Sequence, residues 1–235
     1  MPDWKNPLSY EIARYMPVAI LTGTLVLSLG FATDTAFSQP RYSVSSYLRC
    51  TRDAQIMQAL SLMEEGQGQT SLNRIVSKPM RVIFKDMKSI NKALKNYDAL
   101  SWISNQGEQV IFVNEKHRNA PPAALAALIS HEAMHDDAFN SVNEEVQSWQ
   151  HEAHIWMEMK ANNPELSKIQ AGVHPLVDRE NRIESEYRKG TLDQFVRSSP
   201  GYKGLPEASP GFAKIQPTIT AKHAALLDQP STRPE

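Results

Sequence analysis

Residues 122–137, PAALAALISHEAMHDD, are the stretch on which the reading of this chain turns. Alanine and leucine dominate it, and both favour helix. Asn119 is placed to cap it, and Pro121 and Pro122 suit its first turn. The spacing therefore predicts a helix from Pro122 to about Asp137. On a helix, residues four apart share one face, so His131 and His135 can offer two imidazoles to one ion. Glu132 is rotated by about 100° from His131, near enough to reach a metal-bound water without occupying a coordination position. A zinc ion would lower the pKa of that water to about 7, and the carboxylate would take its proton.

The flanks supply a frame. Upstream, residues 99–103 (ALSWI) and 108–113 (EQVIFV) surround Ser104-Asn105-Gln106-Gly107 and read as a hairpin; residues 80–85 (MRVIFK) read as a further strand. Residues 42–65 carry apolar side chains at helical spacing and end at Gly66, and residues 88–97 suggest a short helix. Downstream, Ala138-Phe139-Asn140 is a short connection, and Ser141 with Glu144 has the spacing of a capping box. A second helix is expected from about 142 to Lys160, stopped at Asn162-Asn163-Pro164, antiparallel to the first and touching it. A third helical region spans 176–197, with Gly190 as a break within it. Trp102, Trp149 and Trp156 read as packing residues. The fold class expected is α+β: a short sheet packed on the motif helix, with two or three further helices.

On His131-Glu132-Ala133-Met134-His135 the chain resembles the zincin metallopeptidases, the superfamily defined by HExxH. The resemblance is strong over those five residues and weaker over the order strand, motif helix, second helix. Ala138 and Ser141 stand where the metzincin extension needs glycine and histidine, and the downstream aspzincin signature is missing, so the likeness is to the gluzincins. Those place a glutamate ligand on the following helix, which makes Glu145 the first candidate for the third zinc ligand, with Glu144, Glu152 and His154 as alternatives. The capping box competes for Glu144, and the small Ser148 would let the two helices approach. The resemblance also implies that the strand before the motif helix is an edge that pairs with an extended peptide, giving Val110, Ile111, Phe112 and Val113 a substrate-binding role. His117, His174 and Tyr187 are possible transition-state donors, none supported by a motif. His151 and His154 read as surface or outer-sphere histidines, and Asp136 or Asp137 as a partner for a ligand imidazole.

The expected activity is therefore zinc-dependent peptide-bond hydrolysis, with Glu132 catalytic and Zn2+ as cofactor. The competing reading is a catalytically silent zincin-like domain that binds a partner at the cell envelope. A di-iron helical protein would need a second Glu-x-x-His on the neighbouring helix, and Glu144 and Glu145 are followed three positions later by Gln147 and Ser148. The chain has 235 residues, 41% hydrophobic and 22% charged, with a net charge of −1, so neither a disordered chain nor a nucleic-acid binder is indicated. The single cysteine, Cys50, excludes an internal disulfide and a cysteine zinc site. Residues 17–33 are uncharged and mostly apolar, preceded by Lys5 and Arg14. They read as an export signal or an anchor. The expected organisation is residues 1–38 as signal peptide or membrane anchor, 39–197 as the zincin-like domain, and 198–235 as a proline-rich, mostly irregular tail. The partners expected are a peptide or protein substrate, with the membrane touched only through the N-terminal segment; the protein is read as an exported or envelope-bound monomer.

Overall fold

The computed structural model describes residues 42–78, 80–103, 108–135 and 140–208. The expected leader, the turn at 104–107, Asp136 and Asp137, and the tail beyond 208 lie outside the described residues. Among the described residues no helix is long and apolar enough to cross a membrane.

Helices and a small sheet alternate in the order α1 (Val44–Cys50), α2 (Ala54–Leu62), α3 (Gln69–Ser77), β1 (Arg81–Lys85), α4 (Met87–Ile90), β2 (Ala99–Ile103), β3 (Gln109–Asn114), α5 (Pro122–Glu132), α6 (Val142–Asn162), α7 (Pro175–Arg188) and α8 (Leu192–Ser198). The class is α+β, as expected. The single helix expected over 42–65 is two helices, because Asp53 caps a new start by accepting from the N–H groups of Gln55 and Ile56. The helix α3 is additional to the elements expected from the sequence. Gly66 precedes it at φ +62°, in the left-handed region, and a Cβ there would collide with the Glu158 carboxylate, which accepts from the Gln67 N–H at 2.7 Å. Gly190, at φ +72°, separates α7 from α8.

The sheet order is β1-β3-β2. β3 pairs in parallel with β1, Ile111 opposite Val82, and antiparallel with β2, Ile111 opposite Ser101. The strand carrying Val110, Ile111, Phe112 and Val113 is thus central, not an edge. Its backbone groups are engaged on both sides, and Ile111 and Val113 are fully buried, so the substrate-pairing role expected for it is excluded. The edge beside β3 on the hairpin side is β2. Trp102, expected to pack, stands on β2 and is 46% exposed.

Side chains alternate across a sheet, so Ala99, Ile111 and Val113 share the face that joins the main core with α5. The helix α5 is buried around its whole circumference, from Ala123 through Glu132, which its alanines permit. The long α6 lies along it and adds Ile155, Trp156 and Met159 to the same core. A smaller core of Val146, Ala153, Ile183, Leu192 and Val196 joins α6, α7 and α8, with Trp149, Phe195 and Tyr202 packed on it.

A candidate metal centre between two helices

The helix α5 ends inside the motif. Its last helical residue is Glu132, and the Met134 N–H bonds to the His131 carbonyl at 2.9 Å, a tighter i→i−3 closure. His135 follows beyond the helix proper, yet its ring stays beside that of His131, with centroids 5.5 Å apart. The His135 carbonyl accepts from Gln109 Nε2 at 2.9 Å and from Arg74 Nη2 at 3.4 Å, which ties the end of the motif to β3 and α3.

Across from the motif, Ser141 caps α6, its hydroxyl accepting the Glu144 N–H at 3.3 Å. Three buried glutamates of α6 then divide the work. Glu144 Oε1 lies 2.7 Å from His135 Nδ1. Glu152 Oε2 lies 3.0 Å from His131 Nδ1. Each Nδ1 thus faces a glutamate, through a hydrogen bond at His135 and an ion-pair contact at His131, and Glu145 meets the other nitrogens, 3.4 Å from His131 Nε2 and 3.9 Å from His135 Nε2. One donor atom from each of His131, His135 and Glu145 falls within 4.8 Å of the others, and all three residues are buried. Two neutral nitrogens and a carboxylate are the donor set of a three-ligand zinc site with one open position. Glu145 Oε2 is buried without a hydrogen-bond partner among the described residues, as a carboxylate oxygen reserved for a cation would be. The residues fit the ion.

The electrostatics agree in sign. Burial opposes charge on His131, but Glu152 and Glu145 overcome it and push its pKa up to about 10. His135 is raised as well, against burial, by the Glu144 hydrogen bond and the charges of Glu145 and Glu132. Glu145 is lowered to about 2 despite burial, by the neighbouring His131 and the charge of His135; Glu152 is lowered to about 2, also against burial, by Arg179 and His131. The cluster therefore demands positive charge at its centre, which protons or a divalent cation supply. Glu132 differs. It is buried, burial raises its pKa, and no hydrogen bond among the described residues fixes its carboxylate.

Behind Glu152 stands Arg179 of α7, a residue the sequence reading did not single out. Its guanidinium bonds Glu152 through two nitrogens, one of them at 3.2 Å, reaches Glu180 at 2.6 Å and Asp98 at 3.2 Å, and lies 4.9 Å from the Trp149 ring centre. Asp98 directly precedes β2 and also takes His117 at 2.8 Å and Lys116 at 2.7 Å. His117 is thus committed to Asp98.

The other expected residues fall elsewhere. His154 pairs with the Tyr187 hydroxyl at 2.5 Å, which removes both from the centre. His151 meets Ser71 at 2.8 Å. His174 caps α7. Tyr202, in the stretch read as an irregular tail, packs on Trp149, which stands edge-on to His131 with centroids 5.9 Å apart. Its hydroxyl accepts the Trp149 Nε1–H at 2.9 Å, and burial, followed by the charge of Glu145, holds its phenol well above the ordinary value.

Comparison with protein-family models, with curated proteins and with solved structures returns no match.

Proposed function

We propose that the protein is a zinc-dependent peptidase of zincin type, in which His131, His135 and Glu145 hold the metal and Glu132 is the general base. The observation that carries the reading is the convergence of His131, His135 and Glu145, with both Nε2 atoms toward Glu145 and a different glutamate facing each Nδ1. Bound there, zinc would polarise the scissile carbonyl and acidify a water. The residues of the chain do the rest. Glu132, buried beside both histidines and without a competing hydrogen bond, accepts the water proton and returns it to the leaving amine. Glu144 and Glu152 fix the two imidazoles so that their Nε2 atoms face the ion. The edge strand β2 takes over the substrate-pairing role that β3 cannot fill: its C-terminal residue Ile103 lies opposite Gln109, which is bonded to the His135 carbonyl. An extended peptide added to β2 would run beside the motif. Export rests on residues 17–33 and their cationic flank.

Elemental analysis of the purified chain, with His135→Ala and Glu145→Ala beside it, tests the assignment. About one zinc per chain in the parent, lost in both variants, is expected. A parent that takes up no metal on careful loading would overturn the reading. Zinc retained in Glu145→Ala would overturn the ligand assignment alone.

A further inference from the structure

Arg179 stands behind the metal centre and reaches His131 by two routes. The first runs through Glu152. Nη1 of the guanidinium bonds Glu152 Oε1, and Nη2 donates to Oε2 at 3.2 Å. Two nitrogens on two oxygens fix the tilt of the carboxylate as well as its place. Oε2 is also the oxygen that lies 3.0 Å from His131 Nδ1. The atom that faces the histidine is therefore one that Arg179 holds. The second route runs through Trp149. The guanidinium lies 4.9 Å from the centre of that ring, and the indole stands edge-on to His131, with centroids 5.9 Å apart. The indole is itself fixed. Its Nε1–H donates to the Tyr202 hydroxyl at 2.9 Å, and the Pro206 and Glu207 carbonyls just beyond accept the Val142 and Asn143 N–H groups of α6 at 2.9 and 3.1 Å.

The guanidinium has supports of its own. Nη1 also donates to Glu180 Oε1 at 2.6 Å, and Nε meets Asp98 Oδ2 at 3.2 Å. Asp98 is anchored in turn by His117 at 2.8 Å and Lys116 at 2.7 Å, and its carbonyl accepts the Asn114 N–H of β3 at 2.8 Å. Three carboxylates thus aim one planar cation, and all three of its nitrogens are engaged. Glu152 and Glu180 are fully buried, so solvent does not screen the pairing. A lysine ammonium, one nitrogen on a flexible stem, cannot hold both oxygens of Glu152 and still reach Asp98.

We infer that Arg179 is a positioning residue for the metal: by clamping Glu152 and backing Trp149, it sets the orientation of the His131 imidazole and hence how tightly the ion is held. The inference rests on the metal site proposed above and extends it to α7, outside the motif. A group that orients a metal ligand contributes about 10- to 100-fold in affinity.

The experiment uses the full chain. Zinc affinity is read by competition with a chromophoric chelator, the visible spectrum of the cobalt-loaded protein reports ligand geometry, and far-UV circular dichroism reports folding. Arg179→Lys keeps the charge and removes the fork. It is expected to weaken zinc about 10- to 100-fold and to shift the cobalt bands, with the far-UV spectrum unchanged. Combined with Glu152→Gln, it should cost less than the product of the two single losses, because both act on one imidazole. A second variant, Arg179→Met with Glu180→Gln, removes the cation together with one of the carboxylates it serves. By charge alone, loss of a cation beside the centre would tighten zinc; loss of position weakens it, and weakening is expected. Parent affinity and unchanged cobalt bands in Arg179→Lys would overturn the inference while leaving the metal site standing. So would parent or tighter affinity in the second variant, a result that does not depend on how Arg179→Lys folds. No zinc in the parent would overturn both.

Discussion

Glu144 and His135 meet at 2.7 Å, carboxylate to Nδ1, and this contact decides what the neighbouring Glu145 can do. Adjacent residues on a helix point about 100° apart. With Glu144 turned to the back of the His135 ring, Glu145 is turned to its front, where Nε2 of both histidines faces it. Two consecutive glutamates thus take two different stations around one imidazole pair.

Glu132→Gln is expected to abolish zinc-dependent peptide hydrolysis, with kcat falling at least about 100-fold, while zinc stays bound at parent stoichiometry. The amide keeps the shape and loses the basicity. Turnover on a mixed peptide library and metal content, measured on one preparation, check it. Loss of zinc together with activity would contradict the role given to Glu132.

The outer glutamates should separate from the inner one by degree. Glu144→Gln and Glu152→Gln are expected to weaken zinc about 10- to 100-fold without abolishing binding, since each orients a ligand rather than being one. Chelator competition on the two variants measures this. Affinity equal to the parent in both would show that the Nδ1 contacts do not tune the ion.

Arg179→Met should destabilise the protein by about 3–5 kcal/mol, because it leaves Glu152 and Glu180 buried beside each other without their shared cation. Denaturant titration reads the loss. The double change Arg179→Met with Glu152→Gln should recover part of it, as removing both charges costs less than stranding one.

Stability of the metal-free protein should have a maximum on the acid side of neutrality. His131 is raised from 6.5 to about 10, so its contribution is full below pH 6.5 and is lost as pH rises through about 10. Glu145 and Glu152 are lowered from 4.5 to about 2, so theirs are full above pH 4.5 and are lost as pH falls through about 2. Both sets act together between pH 4.5 and 6.5. Glu132, raised by burial, also favours the acid side. Zinc displaces the imidazole protons, so its affinity should climb with pH until His131 gives up its proton near pH 10. Thermal melts of the chelated protein and zinc titrations across this range test the two trends; a melting temperature that rises from pH 6 to pH 9 in chelator would contradict the first.

The parts of the site that can be read from the sequence are those set by local spacing. His131, Glu132 and His135 follow from helical geometry, and Glu145 from the short connection to a capped second helix. Even there the alanine-rich run predicts a helix past His135, whereas the last turn tightens at Met134 and the pair of rings survives the change. Strand order is a different kind of fact. Nothing in EQVIFV says which neighbours it will have, and the parallel partner β1 comes from a run about 30 positions earlier that reads as simply another strand. Arg179 looks like one charge among many on an exposed helix face until α7 is laid against α6. Tyr202 sits amid prolines and glycines that read as loose chain, because no local pattern announces that two carbonyls four and five positions later will seal the start of α6.

That seal has a consequence in time. The acceptors for the Val142 and Asn143 N–H groups are made about 64 residues after those donors, and Tyr202 53 residues after Trp149. At some 5–20 residues per second, a nascent chain displays its histidines and glutamates for several seconds before the segment that grips the start of α6 exists. The histidine pair and the glutamates of α6 therefore leave the ribosome before the carbonyls that close the start of that helix.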